Sequence, residues 1–461
     1  MPHLTFFIGQ AGTGKTKQLM DATRQSNQEG LLREHQCVLA LSVMRGAIRR
    51  LEEKLALDCP DIAVEVTTID SFALRIVNRW RRSLGFSEPI VPTSEANSFE
   101  GPFNSHLPFE RICAHAANLM TSSTVGKLTA LSYPIVVIDE FQDCYGPKLD
   151  FVKKLAVRCR ILAAADEFQL LDDVQGCPAM SWISEAERQG ARVTRLTEGY
   201  RCSVSVIVKA AQSLRENKPT RENTIPVYCC PRWKMAATKL IFHNPKGNMA
   251  IVSPTHKPLL GVLTEYHAQL HKQGRAAVYW RLEKSKREGT TSLLRELALT
   301  EPPEDIWRVP KGELSVGANR TVEYIEKNMR LRGLERVTTR FASSLAEKAM
   351  SEDTLWEHRG KRLALTVHSA KNREFDNVVV LWDPYTLKKW TQDKQRRCLY
   401  NALTRARLTC IVLYLAGTKS CEADPVLNLV GPPRLAFASR NAKSSRSSKK
   451  SSRGISDREI H

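Results

Sequence analysis

A glycine-rich octet directly behind a short apolar run restricts the fold of this chain more than any other segment. Leu4-Thr5-Phe6-Phe7-Ile8 reads as a buried strand, Gly9-Gln10-Ala11-Gly12-Thr13-Gly14-Lys15-Thr16 follows at once, and Lys17–Arg24 reads as a helix. The octet completes the pattern G-x-x-x-x-G-K-[ST] in its strand–loop–helix setting. Glycines permit the tight loop whose N–H groups surround phosphates. Lys15 then reaches the β and γ oxygens, and the Thr16 hydroxyl ligates Mg²⁺. A flexible glycine turn would explain the composition but not the helix that starts at its end. Eight residues precede Gly9, so base specificity is expected to be less fixed than phosphate binding.

A second signal lies at Ile135-Val136-Val137-Ile138, an apolar run typical of a strand buried on both faces. It ends abruptly in Asp139-Glu140-Phe141-Gln142-Asp143. At the carboxyl end of such a strand, Asp139 can hold Mg²⁺ through water while Glu140 polarises a water for attack on a phosphate. The competing reading is a helix start, where acids are favoured by the dipole. Gln36–Ser42 and Val64–Phe72 read as further strands entering helices, the first leading to a basic amphipathic helix at Arg45–Leu57, the second capped by Asp70 or Ser71. Arg160–Ala165 is another strand, closed by Asp166-Glu167-Phe168-Gln169. This alternation predicts the α/β class, a parallel sheet wound with helices.

With these segments the chain resembles superfamily 1 helicases of the UvrD/Rep type, whose acidic motif D-E-x-Q-D is matched by Asp139–Asp143. The resemblance implies that Ser42, Thr68, Ser71 and Phe72 lie along single-stranded DNA. It also implies that Asp166 and Gln169 couple nucleotide state to DNA, and that Gln142 and Gln169 sense the γ-phosphate. Leu196–Ser203 is similar to L-x-x-N-Y-R-S, so Tyr200 would stack on the base and Arg201 would meet the γ-phosphate; Gly199 replaces the usual Asn. Leu170-Leu171 replace Ile-Tyr, and the usual tryptophan of that loop is out of register, leaving Trp182 either as a stacking platform or as a core residue.

Further on, Asn248–Pro254 and Ala276–Trp280 read as strands of a second α/β unit. Thr366–Phe375 is similar to T-x-H-x-x-K-G-x-E-F with Asn372 in place of Gly, a residue that also tolerates left-handed backbone. By resemblance Thr366 and His368 face DNA and Glu374 bonds the ribose. Arg396–Arg407 resembles R-R-L-x-Y-V-A-L-T-R-A-R, making Arg405 the candidate arginine finger.

The family implies two RecA-like parallel-sheet motor domains with small, mostly helical insertions. Residues 1–74 and 130–220 would form the first motor domain around a 75–129 insertion. Residues 221–290 and 362–430 would form the second around a reduced 291–361 insertion, with 431–461 a basic, Ser-rich disordered tail. The short insertions shift the expectation from strong unwinding of a forked duplex toward translocation on single strands.

Charge agrees with a polyanionic partner: 69 Lys and Arg stand against 49 acids, a net of +20. No apolar run has the length of a membrane span and the amino terminus lacks a signal pattern, so a cytoplasmic protein is expected. Twelve cysteines without a C-x-x-C pair point to reduced thiols and to no zinc or iron–sulfur site. The activity implied is an ATP-dependent, Mg²⁺-requiring helicase or translocase moving 3′ to 5′ on single-stranded DNA. The alternative is a regulatory ATPase subunit controlling a partner nuclease.

Overall fold

The computed structural model describes residues 3–43, 47–93, 105–172, 174, 176–197, 205–219, 225–274, 280–282, 293–299, 305–310, 314, 316–331, 334–339, 341–346, 362–431 and 433–435. Parallel strands built from unbroken apolar runs need cover on both faces, and two such sheets organise the chain.

The first sheet contains β1 (Leu4–Gly9), β2 (Val38–Ser42), β3 (Val64–Thr68), β6 (Ile135–Asp139), β7 (Arg160–Ala165) and β8 (Arg192–Leu196). Their spatial order is β3-β2-β6-β7-β1-β8, all parallel. Two tiny strands, β4 (Val91–Pro92) and β5 (His106–Leu107), pair apart from it. Ile135 to Ile138 are wholly buried, as the sequence pattern demands.

One face of the sheet packs on α1 (Lys15–Gln28) and α2 (Ile48–Asp58) through Leu19, Met20, Leu51 and Leu55. The other packs on α3 (Ile69–Arg79), α4 (Phe109–Thr121), α6 (Gly146–Leu155) and α7 (Pro178–Arg188), with α5 (Ser123–Ser132) beside them. Ile112, Ala116 and Met120 of α4 belong to this core, so part of the segment read as a 75–129 insertion is built into the first half. The cap of α3 is Thr68 rather than Asp70 or Ser71, its hydroxyl accepting from the Ser71 N–H.

The second sheet runs β11 (Arg281–Leu282), β12 (Arg362–Thr366), β10 (Met249–Ser253), β13 (Phe375–Trp382), β14 (Ala406–Tyr414), β9 (Val227–Cys229) and β15 (Pro433–Leu435), again all parallel. Of the strand expected at 276–280, only Trp280 lies within the described residues. Helices α9 (Trp233–Phe242) and α10 (His256–Lys272) cover one face. The opposite face is covered by α8 (Ser205–Glu216) and, past α11 (Val316–Leu331), by α12 (Gln392–Leu403). Helix α8, read from sequence as part of the first half, buries Ile207, Ala210 and Leu214 in the second core. A small helical cluster of its own, with Leu297, Trp307, Ile325 and Leu345, forms around α11. Residues 436–461, with most of the basic tail, lie outside the described residues. Among the described residues no helix is long and apolar enough to cross a membrane, no disulfide joins cysteines, and no His, Cys, Asp and Glu group could hold a metal by itself.

Trp182 resolves to a core residue. Its ring lies 5.6 Å from Phe6 and 5.7 Å from Phe141, and Phe6 and Phe141 are 6.2 Å apart. Phe141 thus anchors the acidic segment from beneath. Phe141→Ala leaves a cavity at a wholly buried position and should cost about 3–5 kcal/mol. The expected observation is a lower urea midpoint for the first half, at an unchanged denaturant slope.

Candidate nucleotide site

All motif residues of the first half emerge at the carboxyl rim of its sheet, where open α/β sheets bind ligands. The phosphate loop leaves β1 with Gly12 and Gly14 at φ of 83° and 82°, a region open to glycine without strain. A Cβ on Gly9 would stand 2.8 Å from the Leu196 carbonyl oxygen, so the turn also needs a bare backbone there. Helix α1 then starts at Lys15, its N-terminus aimed into the loop. Lys15 Nζ donates to the carbonyls of Gly9 (3.0 Å) and Gln10 (2.8 Å). Thr16 Oγ1 donates to Asp139 Oδ2 at 3.4 Å, placing the two expected metal ligands side by side.

Glu140 adopts left-handed backbone (φ 56°, ψ 43°), unusual outside glycine and worth about 1–3 kcal/mol of strain. Two contacts hold it: its N–H donates to Asp139 Oδ1 (3.1 Å), and its carboxylate accepts from Gln142 Nε2 (2.6 Å). Gln142 Oε1 in turn accepts from the Asp166 N–H at 2.9 Å. The glutamine therefore bridges the second acid to the neighbouring strand end.

The two carboxylates differ in their electrostatics. Burial, and then the charge of Glu140, pushes the Asp139 carboxyl above the usual carboxylate range. Burial acts on Glu140 too, but Lys15, Lys371, the Gln142 hydrogen bond and Arg405 outweigh it and hold Glu140 below that range. Glu140 is thus kept ionised.

Asp166 is wholly buried and is the busiest acceptor in the site. Its carboxylate takes bonds from Arg215 Nη1 (2.5 Å), the Phe168 N–H (3.2 Å), Gln169 Nε2 (3.2 Å) and Tyr400 Oη (2.8 Å), with Lys15 Nζ at 4.0 Å. Burial would raise it, yet Lys15, Arg215 and Tyr400 hold it below the usual range. Tyr400 also accepts from the Ala11 N–H of the phosphate loop at 2.8 Å. Its own hydroxyl is pushed well up by burial and by Asp166, so it remains a donor.

Tyr400 comes from the second half, and it is one of several residues that cross over. Arg405 Nη2 donates to Gln169 Oε1 (3.3 Å), and Asn401 Nδ2 to the Phe168 carbonyl (2.9 Å). Lys371 Nζ reaches both oxygens of Asp143 at 2.6 Å, in a pair almost fully shielded from water. Burial pushes the Asp143 carboxyl up to about 6 despite that partner. The ring of Phe168 enters the second core with guanidinium groups of Arg215, Arg396 and Arg397 at 5.0, 5.6 and 5.8 Å.

The result is a cleft between the halves. Lys15, Lys17, Arg50, Lys54 and Arg405 line it opposite Asp139 and Glu140, five cations against two acids. A polyphosphate carrying a divalent cation fits that balance. The loop amides, Lys15 and Arg405 suit its phosphates, and Thr16 with Asp139 supplies the hard oxygen donors such a cation prefers. Glu374 is tied to the cleft through Arg50, whose Nη2 lies 3.4 Å from Glu374 Oε1. Tyr200 and Arg201 lie outside the described residues.

Of the residues expected along DNA, Ser42 and Thr68 pair in register on β2 and β3, both buried. Thr68 Oγ1 donates to Ser71 Oγ at 2.8 Å, and Ser71 is exposed. Phe72 is a correction to the expected contact: it is packed between Tyr133 and Phe151 with 2 % of its surface exposed, so its ring supports α3 instead of meeting a base. The second half repeats the arrangement. Ser253 and Thr366 pair in register on β10 and β12, and Thr366 Oγ1 donates to Ser369 Oγ at 3.1 Å. His368 is exposed on the same turn, and Asn372 takes the left-handed backbone its position needs, at φ 63°.

Sequence reasoning missed Arg50, Lys54, Arg215, Lys371 and Ser253 as members of these groups, and gave Tyr400 no role. Tyr400 and Lys371 lay inside quoted motifs, Arg50 and Lys54 inside the basic helix read at Arg45–Leu57 and Ser253 inside the strand read at Asn248–Pro254, but nothing local pointed any of them at these groups.

Two family models match the chain: an AAA domain over residues 1–174 and a UvrD-like helicase C-terminal domain over residues 362–413. No curated protein matches it. The matches carry with them nucleotide binding with a divalent metal, ATP hydrolysis and binding to DNA. With the phosphate loop under the first match and Arg405 under the second, the chain is similar to an AAA domain on one side of the cleft and to the C-terminal domain of UvrD-like helicases on the other.

Proposed function

We propose that this protein is a cytoplasmic motor that hydrolyses ATP with Mg²⁺ to travel 3′ to 5′ along single-stranded DNA. The observation that carries the reading is the meeting of Lys15, Thr16, Asp139 and Glu140 with Arg405 of the other half around one cleft. A site so divided works only when the halves are together, which ties each catalytic cycle to a domain movement.

In this reading Lys15 exchanges its carbonyl partners for phosphate oxygens, and the loop amides and α1 N-terminus cradle the chain of phosphates. Thr16 and Asp139 would hold Mg²⁺, which when bound would neutralise charge on those oxygens. Glu140, kept ionised by the surrounding cations, takes the proton of the attacking water, and Gln142 holds its carboxylate in place. Arg405 turns from Gln169 to the transferring phosphoryl group; by the resemblance Arg201 also meets the γ-phosphate and Tyr200 stacks on the base. Loss of the γ-phosphate is relayed through Gln142, Gln169 and Asp166 to Tyr400 and the second half.

Two matched hydroxyl groups support the DNA track: Ser42, Thr68 and Ser71 on the first sheet, and Ser253, Thr366 and Ser369 with His368 on the second. Ser253 Oγ is buried without a hydrogen-bond partner among the described residues, in register with Thr366. Alternating grip by the two sets gives stepping. The insertion read from the sequence at 291–361 is reduced, so translocation stands ahead of unwinding.

Glu140→Gln should keep nucleotide affinity within about threefold while turnover falls by about 10²–10⁴, measured by binding of a fluorescent ATP analogue and by phosphate release. Arg405→Ala should lower kcat by about 10³–10⁵. Single-stranded DNA should stimulate the wild-type ATPase, and its affinity should fall linearly with salt on a log–log plot. An equal rate with and without DNA would sink the motor reading. Strand displacement on a forked substrate, assayed with the protein alone, is expected to be weak.

A further inference from the structure

Arg50 sits on α2, in a stretch with no motif, yet it touches three functional groups at once. It lines the phosphate cleft near Asp139, whose carboxyl it helps to offset against burial. Across the boundary between halves, Nη1 donates to the Asn372 carbonyl at 3.2 Å and Nη2 to Glu374 Oε1 at 3.4 Å. The other oxygen of Glu374 accepts twice from Arg407, at 3.0 and 2.9 Å, so one carboxylate is shared between a cation of each half. Asn372 reaches Arg50 because its left-handed backbone (φ 63°) turns the chain there. The same short loop begins at Thr366 and carries His368.

The geometry points to Arg50 as the positioning residue that couples the nucleotide cleft to the DNA-facing loop of the second half. Its planar guanidinium presents its donors in a fixed fork, so the carbonyl and the carboxylate are held in one set geometry. Polyphosphate in the cleft competes for or reorients that guanidinium, and the 366–374 loop follows because two of its acceptors are bound to it. Coupling of this kind needs a differential contact in the two states, and Arg50 supplies one on each side of the boundary. The inference rests on the motor reading for the meaning of the loop, but not for its test.

Hydrogen exchange on the full-length protein, with and without saturating Mg²⁺–ATPγS, reads the coupling without DNA. In the wild type, nucleotide should slow exchange both in peptides covering 9–16 and in those covering 366–374, the latter by about fivefold or more. In Arg50→Ala the effect at 366–374 should shrink below about twofold, while that at 9–16 persists. Glu374→Gln, which keeps the side-chain volume but removes the charge, should reproduce the loss and serves if Arg50→Ala does not fold. The surface change Arg49→Ala, one residue away, should behave as wild type. Full retention of the 366–374 effect in Arg50→Ala overturns the proposal. So does loss at 9–16 as well, which would place Arg50 in phosphate binding itself. Absence of DNA stimulation of the ATPase would count against the motor reading and leave this measurement intact.

Discussion

The carboxylate of Asp166 is the constraint on which the arrangement of the two halves depends. An anion with no exposed surface is tolerated only when it is paired and hydrogen-bonded. Here the partners come from four places in the chain: Lys15 of the phosphate loop, Gln169 of its own turn, Arg215 of α8 and Tyr400 of α12. Removing either half would leave a buried charge short of donors. The closed geometry around the cleft is therefore enforced by electrostatics as well as by apolar packing.

From that point the connections run outward in both directions. Asp166 is joined to Glu140 through Gln142, and to the loop amide of Ala11 through Tyr400. Glu140, the phosphate loop and the second half are thus linked by hydrogen bonds within one dry region, where such bonds are strong and leaving one unmade is costly. Phe168 adds the apolar counterpart, entering the second core under three guanidinium groups. The buried Lys371–Asp143 pair sits apart from this network. Burial pushes the Asp143 carboxyl up to about 6 despite the attraction of Lys371.

The two halves also echo each other. Each places a serine and a threonine in register on adjacent strand ends, and each threonine hydroxyl holds a serine three residues on. The left-handed Asn372 and the Arg50 contacts connect one of these sets to the nucleotide side.

Local chemistry settled a large part of this in advance. The strand before Gly9, the glycines at 12 and 14, the apolar run ending at Asp139 and the tolerance of Asn372 for positive φ all act within a few residues, so the sequence by itself determined them. What it could not determine were the contacts between residues hundreds of positions apart. Tyr400 with Ala11, Arg50 with Glu374 and Lys371 with Asp143 are separated by 389, 324 and 228 residues. The tertiary structure alone also decided that Phe72 and Trp182 are packing residues and that α8 belongs to the second core. An aromatic ring or an apolar helix face has the same local signature whether it meets a ligand or another helix. Only the packing of the remaining chain around it distinguishes the two.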